Sequence, residues 1–113
     1  MRKVSIRGWI QLPSPQLFDG ATAVVGLDDV TLIDARSARI AETVIDGING
    51  QQERIPFSLE AQWEFRARDS YVLAAEIRRS GGDRLAVGDF ATTVAVPWTV
   101  DRTDGNAVPV TRV

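Results

Sequence analysis

Hydrophobic positions recur along this chain with a period of two over most of its length. Val4, Ile6, Ile10 and Leu12 share one parity while Ser5, Arg7 and Gln11 take the other. That alternation is the mark of a half-buried strand in an antiparallel sheet. Leu12-Pro13-Ser14-Pro15 is expected to stop the strand, because proline has no N–H to give a central ladder. The same reading predicts a second strand over Ala21 to Asp29, with Ala23, Val25 and Leu27 on one face, and a third over Ile40 to Asp46. A fourth runs through Ile55, Phe57 and Leu59 with Ser58 and Glu60 outward, and a fifth from Tyr71 to Arg79 with Tyr71, Leu73, Ala75 and Ile77 inward. Asp34 to Arg39 reads as a loop. Ala61 to Asp69 reads as a short helical turn or a loop that carries Trp63 and Phe65.

Turn residues fall between these runs. Gly47-Ile48-Asn49-Gly50 contains the Asn-Gly pair that supplies positive φ, so a tight turn is predicted between the third and fourth strands. Ser80-Gly81-Gly82-Asp83 predicts a hairpin returning through Leu85 to Val87. Gly88 suggests a bulge or kink before the run Phe90 to Val96, and Asp104-Gly105 a last turn into Val108 to Val113. No segment sustains an amphipathic helix. The expected fold is all-β, an antiparallel β-sandwich of about 7–8 strands, immunoglobulin-like or related. At 113 residues the chain fits a single domain spanning 1–113.

Composition narrows the function more than the fold. With 44% apolar and 25% charged residues the chain is an ordinary globular one. A domain of this length buries about 65% of its unfolded surface and needs no staples. It has no cysteine, so disulfides, thiolate metal sites and a lipid-modified cysteine are excluded for the chain as written. It has no histidine, which removes the commonest general base and neutral metal ligand. Thirteen basic against fifteen acidic residues give a net charge of −2, without the basic excess that phosphate neutralisation demands, so no nucleic acid is expected as partner. Met1-Arg2-Lys3 opens like a signal peptide, but Ser5, Arg7 and Gly8 interrupt the apolar region that should follow. No stretch approaches the roughly 20 apolar residues of a membrane span. The expected location is cytoplasmic as written, or periplasmic or envelope if the chain was trimmed from an exported precursor.

Catalytic chemistry finds little to work with. Without His or Cys only a Ser–Lys arrangement survives, and the single lysine, Lys3, lies at the start of the chain. Asp28, Asp29 and Asp34 form one acidic cluster, and Asp101, Asp104 and Asn106 another. The second faintly echoes a calcium loop, but its acids stand at positions 1 and 4, and Arg112 occupies the position of the bidentate glutamate. Both clusters read more simply as turn formers bonding their own backbone. Trp9, Trp63 and Trp98 are candidates for a stacking platform, against the plainer reading that they fill the core. Arg66, Arg68, Arg78, Arg79 and Arg84 make a mild basic cluster, of the kind that guards strand ends. The glycines form no phosphate-cradling loop, and no cofactor is expected.

Longer stretches of text resemble a known family. Gly8 to Leu12 ending before prolines, Leu27-Asp28-Asp29-Val30-Thr31-Leu32 with Asp34-Ala35, Ile40-Ala41-Glu42, Ile55-Pro56-Phe57-Ser58-Leu59-Glu60 and Tyr71-Val72-Leu73-Ala74-Ala75-Glu76-Ile77 follow one another as in the YbaY/YscW family. The resemblance covers roughly Val4 to Val113. It implies a β-sandwich and a place among small bacterial lipoproteins, some of them pilotins, chaperones that escort an outer-membrane secretin of type III secretion. None of the shared stretches is catalytic. The leading expectation is therefore a non-catalytic protein-binding or chaperone-like module whose partner is an envelope or secretion component. Strand addition at an exposed edge is its expected mode, with Val108, Val110 and Val113 as the candidate edge around Pro109. The competing expectation is a module for a small ligand, carbohydrate or calcium.

Overall fold

The computed structural model describes residues 1–31 and 37–113. They form seven strands: β1 Arg2–Asp29, β2 Ala38–Trp63, β3 Tyr71–Arg78, β4 Phe90–Ala91, β5 Val96–Trp98, β6 Asn106–Pro109 and β7 Thr111–Arg112. No helix occurs among the described residues. The protein is all-β, as its periodicity predicts. The strands make one sheet in the order β2-β1-β3-β4-β7, with β5 also on β3 and β6 on β1. All pairings are antiparallel except β1–β6, which is parallel.

The two longest strands organise everything else. The runs Val4 to Leu12 and Ala21 to Asp29, expected as two strands, are the two halves of β1, and Ile40 to Asp46 and Ile55 to Leu59 likewise belong to β2. The prolines do interrupt the ladder, but they do not end the strand. Register steps from Gln11↔Arg54 to Gln16↔Gln52, so Pro13 and Pro15 occupy a stretch in which no ladder donor is needed. The Asn49-Gly50 pair also works differently from the expected tight turn. Gly47 and Gly50 take positive φ of 66° and 79° inside β2, and the register shifts at Asp19/Ala21 and Ala21/Ala23 lie opposite. Positive φ here makes bulges that bend the β1–β2 ribbon, where a two-residue turn would have reversed the chain. Asn49 Oδ1 accepts the Gly20 N–H at 2.7 Å and holds the bend.

Bending folds the sheet over on itself. Val4, Ile6, Ile10 and Leu12 from one half of β1 and Ala23, Val25 and Leu27 from the other belong to one buried cluster, joined by Phe57, Leu73, Phe90, Trp98 and Val108. The shortest dimension of the molecule, 21 Å, suits two layers about 10 Å apart with side chains on both outer faces. One layer holds β6, the first half of β1 and the second half of β2. The second layer holds the other halves with β3, β4, β5 and β7.

Three smaller expectations are corrected. The double glycine does turn the chain after β3, but Leu85 and Val87 lie in an exposed loop, and the returning strand is β4. Of the run Phe90 to Val96, only Phe90–Ala91 and the start of β5 are strand. Asp89 explains the delay: its buried carboxylate accepts the N–H groups of Arg79 and Ala86, which ties up the loop as a cap. Val108 to Val113 divides into β6, in one layer, and β7, in the other, with Val110 buried at the corner between them.

Candidate functional site

The acidic clusters are occupied with local structure. Asp29 Oδ1 accepts both the N–H and the hydroxyl of Thr31, Asp101 accepts the Thr99 hydroxyl, and Asp104 accepts the Gly105 N–H. Asp28, almost fully buried, is bridged by Arg39, whose guanidinium fills the space that a side chain at position 26 would need. Asn106 is also structural, donating to the carbonyls of Arg7 and Arg102. Asp34 lies outside the described residues. Among those described, no three His, Cys, Asp or Glu residues converge as a metal site.

The three indoles do not assemble into a platform. Trp98 is buried to 2% exposure and donates its Nε1–H to the Arg102 carbonyl at 2.8 Å. Trp63 continues the inward parity of β2 and packs against the core. Trp9 stands on the opposite face with Arg54 over its ring. Of the basic cluster, Arg66 and Arg78 pair with Glu64 and Glu76. Arg79 lies over the rings of Phe18 and Phe90 at 5.1 and 5.4 Å and donates to the carbonyls of Leu17 and Gly88. Arg79 serves the fold, while Arg66 stays half exposed.

Strand edges are unequal. The candidate edge at the C-terminus is blunted: Val108 and Val110 are buried at 0% and 2%, while Val113 is 44% exposed. Val110 N–H bonds the Gln11 carbonyl, so alternation turns Ala107 and Pro109 outward. Pro109 has no N–H, and its carbonyl accepts the Thr92 hydroxyl at 3.0 Å. Beside it a groove of about 330 Å³ runs between β6 and the entry to β5, with Pro97 on its other wall. The far edge of β2 pairs with no described strand. Its second half carries Pro56, and its first half, Ala38–Ile45, has no proline to interrupt a ladder.

A smaller, more enclosed concavity lies where β2 leaves and β3 and β5 meet. A cleft of about 260 Å³ opens between the 64–69 and 99–101 loops. Its apolar lining is Phe65, Ala67, Tyr71, Trp98 and Val100, and its charged lining Arg66, Asp69 and Asp101. Phe65, Tyr71 and Trp98 meet edge to face, with centroids 5.4 to 6.2 Å apart, the arrangement their quadrupoles favour. Each of these aromatics stands out in the sequence, but nothing there signals that two strands and a loop bring them together.

Tyr71 links the aromatic floor to the polar mouth. Its hydroxyl accepts the Arg66 N–H at 3.1 Å and donates to Asp69. Burial pushes the phenol up from its ordinary value; the Arg66 N–H opposes the shift, and the charges of Asp69 and Asp29 add to it. The folded protein thus keeps a proton that the unfolded chain loses near pH 10, so stability falls as pH rises through and beyond that point. Tyr71 is the chain's one tyrosine. The phenolate absorbance of the native protein is expected to appear at higher pH than in denaturant, and coincident titrations would show a phenol in water.

Fold and surface together define a small all-β domain whose distinctive features are open strand edges and apolar clefts. The chain belongs to the YscW family, the type III secretion system lipoprotein chaperones, whose family model matches residues 1–101. It is also similar in structure to an alternative pilotin from the type II secretion system of Vibrio cholerae, with 28% identity, a TM-score of 0.74, and coverage of 96% of this chain and 94% of that one. No curated protein matches it significantly. The family is a non-enzymatic kind of protein.

Proposed function

We propose that this protein is an escort for a bacterial secretion component, binding a segment of an outer-membrane secretin and working at the cell envelope. Membership of a chaperone family over residues 1–101 carries this reading, and the similarity to a pilotin across nearly the whole of both chains supports it. The surface is compatible with peptide binding: it offers an apolar cleft with a polar mouth and a proline-free edge at Ala38–Ile45, both suited to holding an unfolded segment. Among the described residues no helix is long and apolar enough to cross a membrane. No described feature favours the carbohydrate or calcium alternative.

The test is co-expression with the secretin encoded in the same genome. The two proteins are expected to co-purify, and deletion of this gene to lower the amount of secretin multimer in the outer membrane. Unchanged multimer and no co-purification would remove the escort role.

A further inference from the structure

We infer that the cleft between the 64–69 and 99–101 loops is an anchor site for an apolar side chain of a partner polypeptide, recognised together with a lysine or arginine beside it. This assignment rests on the reading of the protein as a binder of polypeptide segments and names the surface that does the binding.

Size comes first. A dry apolar cavity of about 150 Å³ is enough to hold benzene, so a cleft of about 260 Å³ accepts a leucine or phenylalanine side chain with room for its neighbour. The floor is rigid. Trp98 and Tyr71 are buried in the core and fixed by hydrogen bonds from Nε1 to Arg102 and from the Arg66 N–H to the phenol oxygen. A preformed apolar pocket loses little freedom on binding, and such pockets are where interface energy concentrates.

Charge then selects the occupant. Arg66 is turned to Glu64 at 3.6 Å, and Arg102 lines the separate groove beside β6. Arg66 is itself part of the cleft lining, and with its charge offset by Glu64, Asp69 and Asp101 are the two carboxylates left in the lining. The Thr99 hydroxyl donates to the Asp101 carboxylate and holds that carboxyl below its usual range. An apolar floor under two carboxylates favours an apolar group with a cation next to it and disfavours an acidic neighbour.

Two blocked tetrapeptides, Lys-Phe-Leu-Lys and Glu-Phe-Leu-Glu, would be titrated into the isotope-labelled full chain and followed by amide NMR. The lysine peptide is expected to move the amides of Ala67, Asp69, Thr99 and Asp101 and to leave those of Ala95 and Ala107 in place. The glutamate peptide is expected to bind at least tenfold more weakly. Ala67→Trp, at an exposed turn position, fills the mouth without touching the core and is expected to abolish the shifts. Equal affinity for the two peptides, shifts centred elsewhere, or undiminished binding by Ala67→Trp would overturn the assignment. So would a submicellar dodecyl maltoside chain that displaces the lysine peptide, which would make the cleft a lipid site. Secretin captured equally by wild type and Ala67→Trp would refute the cleft while sparing the escort role. Specific peptide binding without secretin capture would do the reverse.

Discussion

Replacing Trp98 with alanine is expected to lower stability by about 3–5 kcal/mol, the usual cost of emptying a fully buried aromatic site. Trp98 is among the largest fully buried side chains, it touches Phe65 and Tyr71 edge to face, and its indole N–H satisfies the Arg102 carbonyl. It is also the fully buried side chain of β5, a strand paired to β3, with Val96 partly buried beside the core. Total stabilities of domains are about 5–15 kcal/mol, so this one change removes a large share. At roughly 4 °C per kcal/mol the melting temperature falls by about 12–20 °C. Trp98→Phe keeps two of the aromatic contacts and loses the hydrogen bond, while Arg102 retains the Asn106 amide as a donor. It should cost about 1–2 kcal/mol. Thermal unfolding of the two variants measures the difference, and equal small losses would mean that the indole is not a core element.

Gly8→Ala is the second large effect. Gly8 lies between Phe57 of β2 and Asn106 of the parallel strand β6. A Cβ at position 8 would run into the carbonyl group and Cβ of Asn106, which are largely fixed backbone. Asn106 cannot retreat without giving up the bonds from its amide to the carbonyls of Arg7 and Arg102. Overpacking of this kind costs about 1–3 kcal/mol where side chains can adjust. Here the obstacle is backbone, so about 3 kcal/mol or more is expected, with β6 lifted from β1. Amide exchange at Val108 and Val110 should quicken selectively. An alanine variant of wild-type stability would show that the approach of β6 is looser than the register implies. The first experiment bears on function as well, because Trp98 and the residues after it, Thr99 to Asp101, line the apolar cleft.

Strand content was legible in the sequence because alternation reports which faces are buried. Ile6, Ile10, Ile55, Phe57, Leu73 and Ile77 stand where their parity places them. Strand boundaries were less legible. Pro13, Pro15 and Asn49-Gly50 look like terminators in the sequence, since locally they break a ladder or supply positive φ. Whether such residues end a strand or bend it depends on whether the partner strand bends at the same level, and here β1 and β2 do so together. The candidate site fared differently. The strand that carries Trp98 is not visible in the sequence, because three residues leave no periodicity to detect. The edge proposed at Val108, Val110 and Val113 followed from Pro109, yet the chain crosses between layers at Val110, and Thr92, seventeen residues away in sequence, caps the proline carbonyl.

By itself the sequence determined that this protein is all-β, and stretches such as Ile55–Glu60 and Tyr71–Ile77 resemble the YbaY/YscW family. It also determined that any chemistry must proceed without histidine or cysteine. Those properties are local or compositional: they depend on the side chains present and on their alternation, whatever the strands pair with. Tertiary structure decided that four predicted strands are two bent ones, which edges stay open, and that Phe65, Tyr71 and Trp98 share one cleft under Asp69 and Asp101. These depend on long-range register, set jointly by bulges, prolines and the parallel docking of β6. No window of sequence contains both sides of such a pairing.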